Sequence, residues 1–247
     1  MSMRAARRAV SLGFALTVSI LELAAIRLRG PLPLERRARW IQATARRVLS
    51  SLHIETRIIG RLPVGGLIVS NHLSYLDIAI YAAIVPCSMV AKAELSHWPV
   101  FGMMARASGA LFVDRSSRTS AVSVTNQVAE RLRGPVPVLF FPEGTTSDGA
   151  PVLRFHPRLF TPAVEAHVPV TAASLRYVFE DGTPERKLCW IGDESLLPHL
   201  WKTLGVASFV AEASFGEPRV YSDRRTAANT THDEVEAMRS ATALMPY

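Results

Sequence analysis

From about residue 53 onward, short β-rich runs alternate with helical stretches, and this alternation restricts the chain to few architectures. Runs of strand length fall at 55–59, 67–70, 89–91, 110–113, 136–141 and 170–175. Helical spacing of apolar residues fills 76–84, 99–107, 120–132, 159–167 and 195–203. Strands that take turns with helices predict an α/β fold, with a central, mostly parallel sheet flanked by helices. There is no internal repeat and no low-complexity tract. At 247 residues, one catalytic domain with an appendage is the expected organisation, divided as 1–34 and 35–247.

The appendage differs in charge from the rest. Residues 1–50 carry ten arginines, no lysine, and only Glu22 and Glu35 as acids, a net charge of +8. The remainder balances eighteen basic against nineteen acidic side chains. A nucleic-acid binder needs its positive charge on the folded body, so this distribution argues against one. The arginines instead flank an apolar run, 9–26, which contains one acid, Glu22. As a helix that run reaches about 27 Å, slightly less than a hydrocarbon core of roughly 30 Å. It ends in Ile26-Arg27-Leu28-Arg29 rather than in the small residues of a cleavage site. Two modes of anchoring fit: a single span, or a helix lying in one leaflet with both arginine clusters among the headgroups. Pro31 and Pro33 then break the chain before an amphipathic helix over 35–52, with Ile41, Ala45, Val48, Leu49 and Leu52 on its apolar stripe.

Three clusters carry candidate chemistry. Asn71-His72-Leu73-Ser74-Tyr75-Leu76-Asp77 follows a buried-strand pattern, at the kind of strand end where open α/β sheets place their sites. A neutral histidine can take a proton from a hydroxyl, and a carboxylate on its other nitrogen fixes the tautomer. Ser74 also looks like an N-cap with Asp77 as its capping-box partner, which would give Asp77 a purely structural task. Gly109-Ala110-Leu111-Phe112-Val113-Asp114-Arg115 places Arg115 after an apolar strand, where its guanidinium fork could bind phosphate or could equally pair with Asp114 or sit in a solvated turn. Phe140-Phe141-Pro142-Glu143-Gly144-Thr145-Thr146-Ser147 is a strand end running into a polar, glycine-containing loop. Neither a Gly-x-Ser-x-Gly elbow nor a phosphate-binding P-loop occurs. The other histidines have no ligand-like spacing. Cys87 and Cys189 read as free thiols, and no metal site is expected.

Asn71-His72-x4-Asp77, Gly109-x2-Phe112-x2-Arg115, Phe141-Pro142-Glu143-Gly144-Thr145 and Val168-Pro169-Val170 occur in this order. Together they resemble the four sequence blocks of the glycerolipid (lysophospholipid) acyltransferase family, typified by the lysophosphatidate acyltransferases. The resemblance covers roughly residues 50 to 215 and implies the acyltransferase-type α/β domain, with membrane-associated helices before it. It implies transfer of a fatty acyl group from an acyl thioester to a lysolipid hydroxyl, in phospholipid biosynthesis. His72 would be the general base and Asp77 its orienter. Arg115, Glu143, Gly144, Thr145 and Thr146 would bind the acceptor, and Val168-Pro169-Val170 would help shape a substrate channel. No cofactor is implied; acyl-CoA or acyl-carrier protein would be the co-substrate. Membrane lipids would be the other partners and nucleic acid none, with the enzyme at the cytoplasmic face of the inner or plasma membrane.

Two departures bear on the acceptor. Thr146 stands where relatives acting on lysophosphatidate often place arginine, and His156-Pro157-Arg158 follows Phe155 where many have a lysine and a small residue. A Thr or Ser at position 146 is similar to relatives that acylate other lysolipids, including lyso-ornithine lipids. A catalytically silent lipid-binding protein using the same pocket is the reading from outside enzymology.

Overall fold

Leu67-Ile68-Val69-Ser70 offers no polar face to water, and it lies at the centre of a seven-stranded sheet covered on both sides. The computed structural model describes residues 2–113 and 118–242. Its strands are β1 (Ile54–Ile59), β2 (Leu67–Ser70), β3 (Ser88–Lys92), β4 (Leu111–Val113), β5 (Val138–Phe140), β6 (Val170–Val178) and β7 (Phe209–Phe215). They run in the order β1-β7-β6-β2-β5-β3-β4. Every neighbouring pair is parallel except β6 and β7. This is the mostly parallel α/β sheet that the alternation predicts.

The helices are α1 (Met3–Arg27), α2 (Leu34–Leu52), α3 (Leu76–Ile84), α4 (Phe101–Ser108), α5 (Arg118–Leu132), α6 (Thr161–Glu165), α7 (Leu196–Gly205) and α8 (Arg224–Thr242). Successive strand residues point to opposite faces, so β2 feeds two cores. Ile68 packs with Leu49 and Leu52 of α2, Ile80 and Tyr81 of α3, and Leu204 of α7. Leu67 and Val69 pack with Val128 and Leu132 of α5, Ala163 of α6, and Ala228 and Val235 of α8. Two elements go beyond the sequence expectation, β7 and α8. The helix expected over 159–167 is instead a 3-10 turn, Pro157–Phe160, followed by the short α6.

The segment before β1 is tied to the domain at both ends of α1. Arg8 is 4% exposed and donates to the carbonyls of Leu204 (3.4 Å) and Val206 (2.6 Å) and to the Ser208 hydroxyl (3.2 Å). A cation there serves the carbonyl-rich end of α7. Further along, Glu22 pairs with Arg47 of α2 at 2.6 Å, and the Trp40 indole donates to the Ser19 carbonyl at 3.0 Å. The opposite side of α1 exposes Met3, Val10, Phe14 and Leu21, with Leu28 just beyond its end. By length and composition α1 is also sufficient to cross a bilayer.

Candidate active site

Strands β6, β2 and β5 are adjacent and parallel, so their carboxyl ends meet at one edge of the sheet. That edge receives Asn71-His72 from β2, Phe141-Pro142-Glu143 from β5, and the last residues of β6. Asn71 is fully buried and continues the ladder with its side chain. Its amide nitrogen donates to the Leu175 carbonyl (3.1 Å), and its Oδ1 accepts from the Leu175 amide (2.8 Å). The chain therefore leaves β2 still fastened to β6, and His72 begins from a fixed point.

His72 and Asp77 meet. Nδ1 of His72 lies 2.8 Å from Asp77 Oδ2, which also accepts the amides of Leu73 (2.6 Å) and Ser74 (3.0 Å). One oxygen atom of Asp77 thus holds both the imidazole and the turn that precedes α3, whose own N-cap, Tyr75, makes no side-chain cap bond. The Ser74 hydroxyl accepts the Leu76 amide at a long 3.4 Å. Oδ1 accepts the phenol hydroxyl of Tyr177. Asp77 is completely buried, whereas the His72 side chain keeps 17% of its surface exposed. The imidazole stacks on Phe141, centroids 4.0 Å apart and planes 11° from parallel. With Nδ1 engaged by a carboxylate, the proton of the neutral ring belongs on Nδ1 and the lone pair on Nε2. Nε2 has no hydrogen-bond partner among the described residues. The arrangement is a base with an open nitrogen.

The third cluster closes over this pair. Glu143 Oε1 accepts the His72 amide at 3.0 Å, and the Ser147 amide donates to the His72 carbonyl at 2.8 Å. Gly144 adopts φ 76°, a conformation that a side chain would strain, and it turns the loop back between those two bonds. Glu143 is 4% exposed, and its Oε2 has no partner of hydrogen-bond geometry among the described residues, the Ser147 hydroxyl and Leu153 amide being only nearby. Burial therefore dominates and pushes its carboxyl up to about 7, with the His72 amide acting against the rise. Thr145 is exposed. Thr146 donates its hydroxyl to the Trp190 carbonyl, and the Trp190 amide donates to the Leu73 carbonyl at 2.8 Å. Trp190 and Tyr75 meet edge to face, ring centroids 5.6 Å apart.

Of the expected site residues, His72, Asp77, Glu143, Gly144 and Thr146 converge through this network. Arg115 lies outside the described residues. Val168-Pro169-Val170 does not reach the site. The Leu67 amide donates to the Pro169 carbonyl at 2.9 Å at the start of β2, five residues before His72, which is about 17 Å along a strand. Its task is to register β6 on β2, not to line a channel at the base. Cys87 and Cys189 are buried free thiols, and burial pushes both up to about 12, so neither is a nucleophile at neutral pH. Among the described residues no cluster of histidine, cysteine and acids could hold a metal ion. Tyr177 and the stacking of Phe141 go beyond the sequence reading; Tyr177 follows the predicted end of its strand and belongs to no recognisable motif.

A base held by a buried carboxylate at a sheet edge fits several chemistries, and comparison with known proteins narrows them. The family model described as Acyltransferase matches residues 53–176. A lyso-ornithine lipid O-acyltransferase of Pseudomonas aeruginosa is 38% identical over 200 residues, covering 79% of this chain and 74% of that protein. A 1-acyl-sn-glycerol-3-phosphate acyltransferase of Neisseria meningitidis is 35% identical over 185 residues, covering 73% and 72%. The crystal structure of a 1-acyl-sn-glycerophosphate acyltransferase from Thermotoga maritima shares the fold, with a TM-score of 0.71 at 19% identity over 99% of this chain and all of that one. Family match, fold and the geometry around His72 agree: this chain belongs to the acyltransferase family.

Proposed function

We propose that the protein transfers a fatty acyl group from an acyl thioester, of coenzyme A or acyl-carrier protein, to a hydroxyl of a lysolipid with a lysophosphatidate-type head group. The observation that carries this reading is the His72 Nδ1–Asp77 Oδ2 contact of 2.8 Å, which leaves Nε2 open on a partly exposed ring. Nε2 takes the proton of the acceptor hydroxyl while its oxygen attacks the thioester carbonyl carbon. The carbon–sulfur bond then breaks, and the imidazolium returns the proton to the departing thiolate. Asp77 holds the ring and stabilises its charged form. The nucleophile is the substrate's own hydroxyl, in keeping with buried, protonated cysteines. The Glu143–Thr146 loop and Arg115 bind the acceptor head group, Thr145 being the exposed side chain of that loop.

A second acceptor, a lyso-ornithine-type lipid, is favoured by one observation. The Thr146 hydroxyl is directed to the Trp190 carbonyl, so this position presents no cation to a phosphomonoester. The first 34 residues anchor the enzyme in one leaflet at the cytoplasmic face of the inner or plasma membrane. Arg8 holds α1 against the domain while Val10, Phe14 and Leu21 remain exposed to meet lipid. Mass spectrometry of products from purified protein, mixed lysolipids and an acyl thioester tests the reading. A diacyl product formed only with active protein is expected. The absence of acyl transfer to every lysolipid would contradict it, and a product from lysophosphatidate alone would remove the second acceptor.

A further inference from the structure

The Asp77 carboxylate is completely enclosed, and its two oxygens are treated unequally. Oδ2 accepts His72 Nδ1 and the amides of Leu73 and Ser74. Oδ1 has one donor among the described residues, the hydroxyl of Tyr177, which comes from β6 one residue past the segment that the family model matches. We propose that Tyr177 is a positioning residue for the reaction, its phenol fixing the rotation of Asp77 and drawing off part of the carboxylate charge that His72 Nδ1 meets. This inference rests on the acyl-transfer reading for its kinetic consequence, though not for its geometry.

The phenol is itself firmly placed. The Tyr177 amide donates to Glu185 Oε1 at 2.7 Å, and Glu185 Oε2 pairs with Arg239 of α8 at 2.7 Å. Arg239 also donates to the carbonyls of Leu175 and Gly149, so one guanidinium joins the end of β6 to the loop that follows Thr146. The Tyr177 ring packs on Phe209 of β7 with centroids 5.2 Å apart. Burial and the facing Asp77 charge raise the phenol well above its ordinary value, so it remains a donor across the working pH range. A carboxylate that must orient an imidazolium without taking its proton benefits from such a donor, because sharing charge with the phenol lowers the carboxylate's basicity.

The sign of the effect follows. Without the phenol hydroxyl, Asp77 becomes a stronger acceptor toward Nδ1, and the imidazolium is held more tightly. The protonated form of His72 is then favoured relative to the parent protein, and less of the neutral base is present at a given pH. A more acidic phenol donates more strongly and must act in the opposite direction. Other groups around the pair are Glu143 from the β5 loop, Tyr81 on α3, Cys189 after the 3-10 turn Glu185–Leu188, and Glu185 with Arg239. Of these, Glu143 titrates near neutrality, at about 7, so the comparison is made in a Glu143→Gln background.

The test is the pH titration of the His72 ring, followed by NMR in histidine-labelled full-length protein and assigned by the signal lost in His72→Gln. Tyr177→Phe keeps the ring that packs on Phe209, and a site-specific Tyr177→3-fluorotyrosine keeps every contact while acidifying the phenol. The expected results are an upward shift of at least half a pH unit for Tyr177→Phe and a downward shift for the fluorinated variant. Identical midpoints, or shifts in the same direction, would overturn the proposal. In acyl transfer with Glu143 intact, Tyr177→Phe should lower kcat roughly tenfold with KM within about twofold. An inactive wild-type protein whose His72 titration still moves as stated would sink the acyl-transfer reading and leave the Tyr177 assignment standing. If Tyr177→Phe fails to fold, the fluorinated variant alone decides.

Discussion

Residue by residue, the site assigns two tasks to one atom. Asp77 Oδ2 fastens the turn before α3 through the Leu73 and Ser74 amides and holds His72 through Nδ1. The two tasks separate on substitution. Asp77→Asn retains the shape but loses the charge, and acyl transfer should fall about 10³- to 10⁴-fold, with the thermal midpoint changing much less. Asp77→Ala should cost stability as well, about 1–3 kcal/mol, because two buried amides lose their acceptor; thermal unfolding beside activity distinguishes the variants. Glu143 makes a prediction about pH. Its carboxyl titrates near 4.5 in the unfolded chain and about 7 in the fold, so its contribution to stability is complete below pH 4.5 and is lost as pH rises through 7. Urea unfolding at pH 4.5 and pH 8 should show wild type losing more stability across this interval than Glu143→Gln does; equal losses would contradict the buried, hard-to-ionise carboxyl. His72 and Asp77 were legible in the sequence because spacing and order exposed them. The Tyr177–Asp77 contact spans a hundred positions and left no local pattern.

Among the elements, legibility followed the strength of apolar periodicity. β2 is a run of large aliphatic residues and α3 repeats them at helical spacing in Leu76, Ile80 and Ile84, and both lie where the sequence reading put them. β7 places Ala211 and Ala213 in the core beside a buried Glu212, and α8 packs Ala227, Ala228 and Thr231. Small or polar core residues give a weak period, so these two elements are visible only through tertiary packing. α8 nevertheless delivers Arg239 to the site. α1 is legible as an apolar helix, whereas its attachment is not, because Arg8 binds carbonyls nearly two hundred residues away. Arg8→Ala should lower the thermal midpoint and release the start of α1 to limited proteolysis, since the Leu204 and Val206 carbonyls lose a buried cation. Glu22→Gln should change stability by less than about 1 kcal/mol, because its pair with Arg47 is more than a third exposed on both sides.

For the whole molecule, the α/β sheet builds the site, and in the proposed function α1 is the element that meets the membrane. Val10 and Phe14 are 74% and 72% exposed on a helix whose other side is committed to the domain. Replacing both by glutamate should weaken binding to anionic vesicles at least tenfold, as measured by flotation, while leaving the fold intact. The order of the four blocks made the reaction class legible from sequence. Thr146 made the acceptor ambiguous there, and its hydroxyl bond to the Trp190 carbonyl gives that ambiguity a physical form. The proposal turns on His72 as the base for acyl transfer from an acyl thioester to a lysolipid. The most direct test is single-turnover acyl transfer from a radiolabelled acyl thioester to lysolipid in vesicles, comparing wild type with His72→Ala. The account predicts a labelled diacyl lipid from wild type and none from the variant, with the variant still folded and bound to membrane. Transfer by His72→Ala at a rate near that of wild type would contradict it.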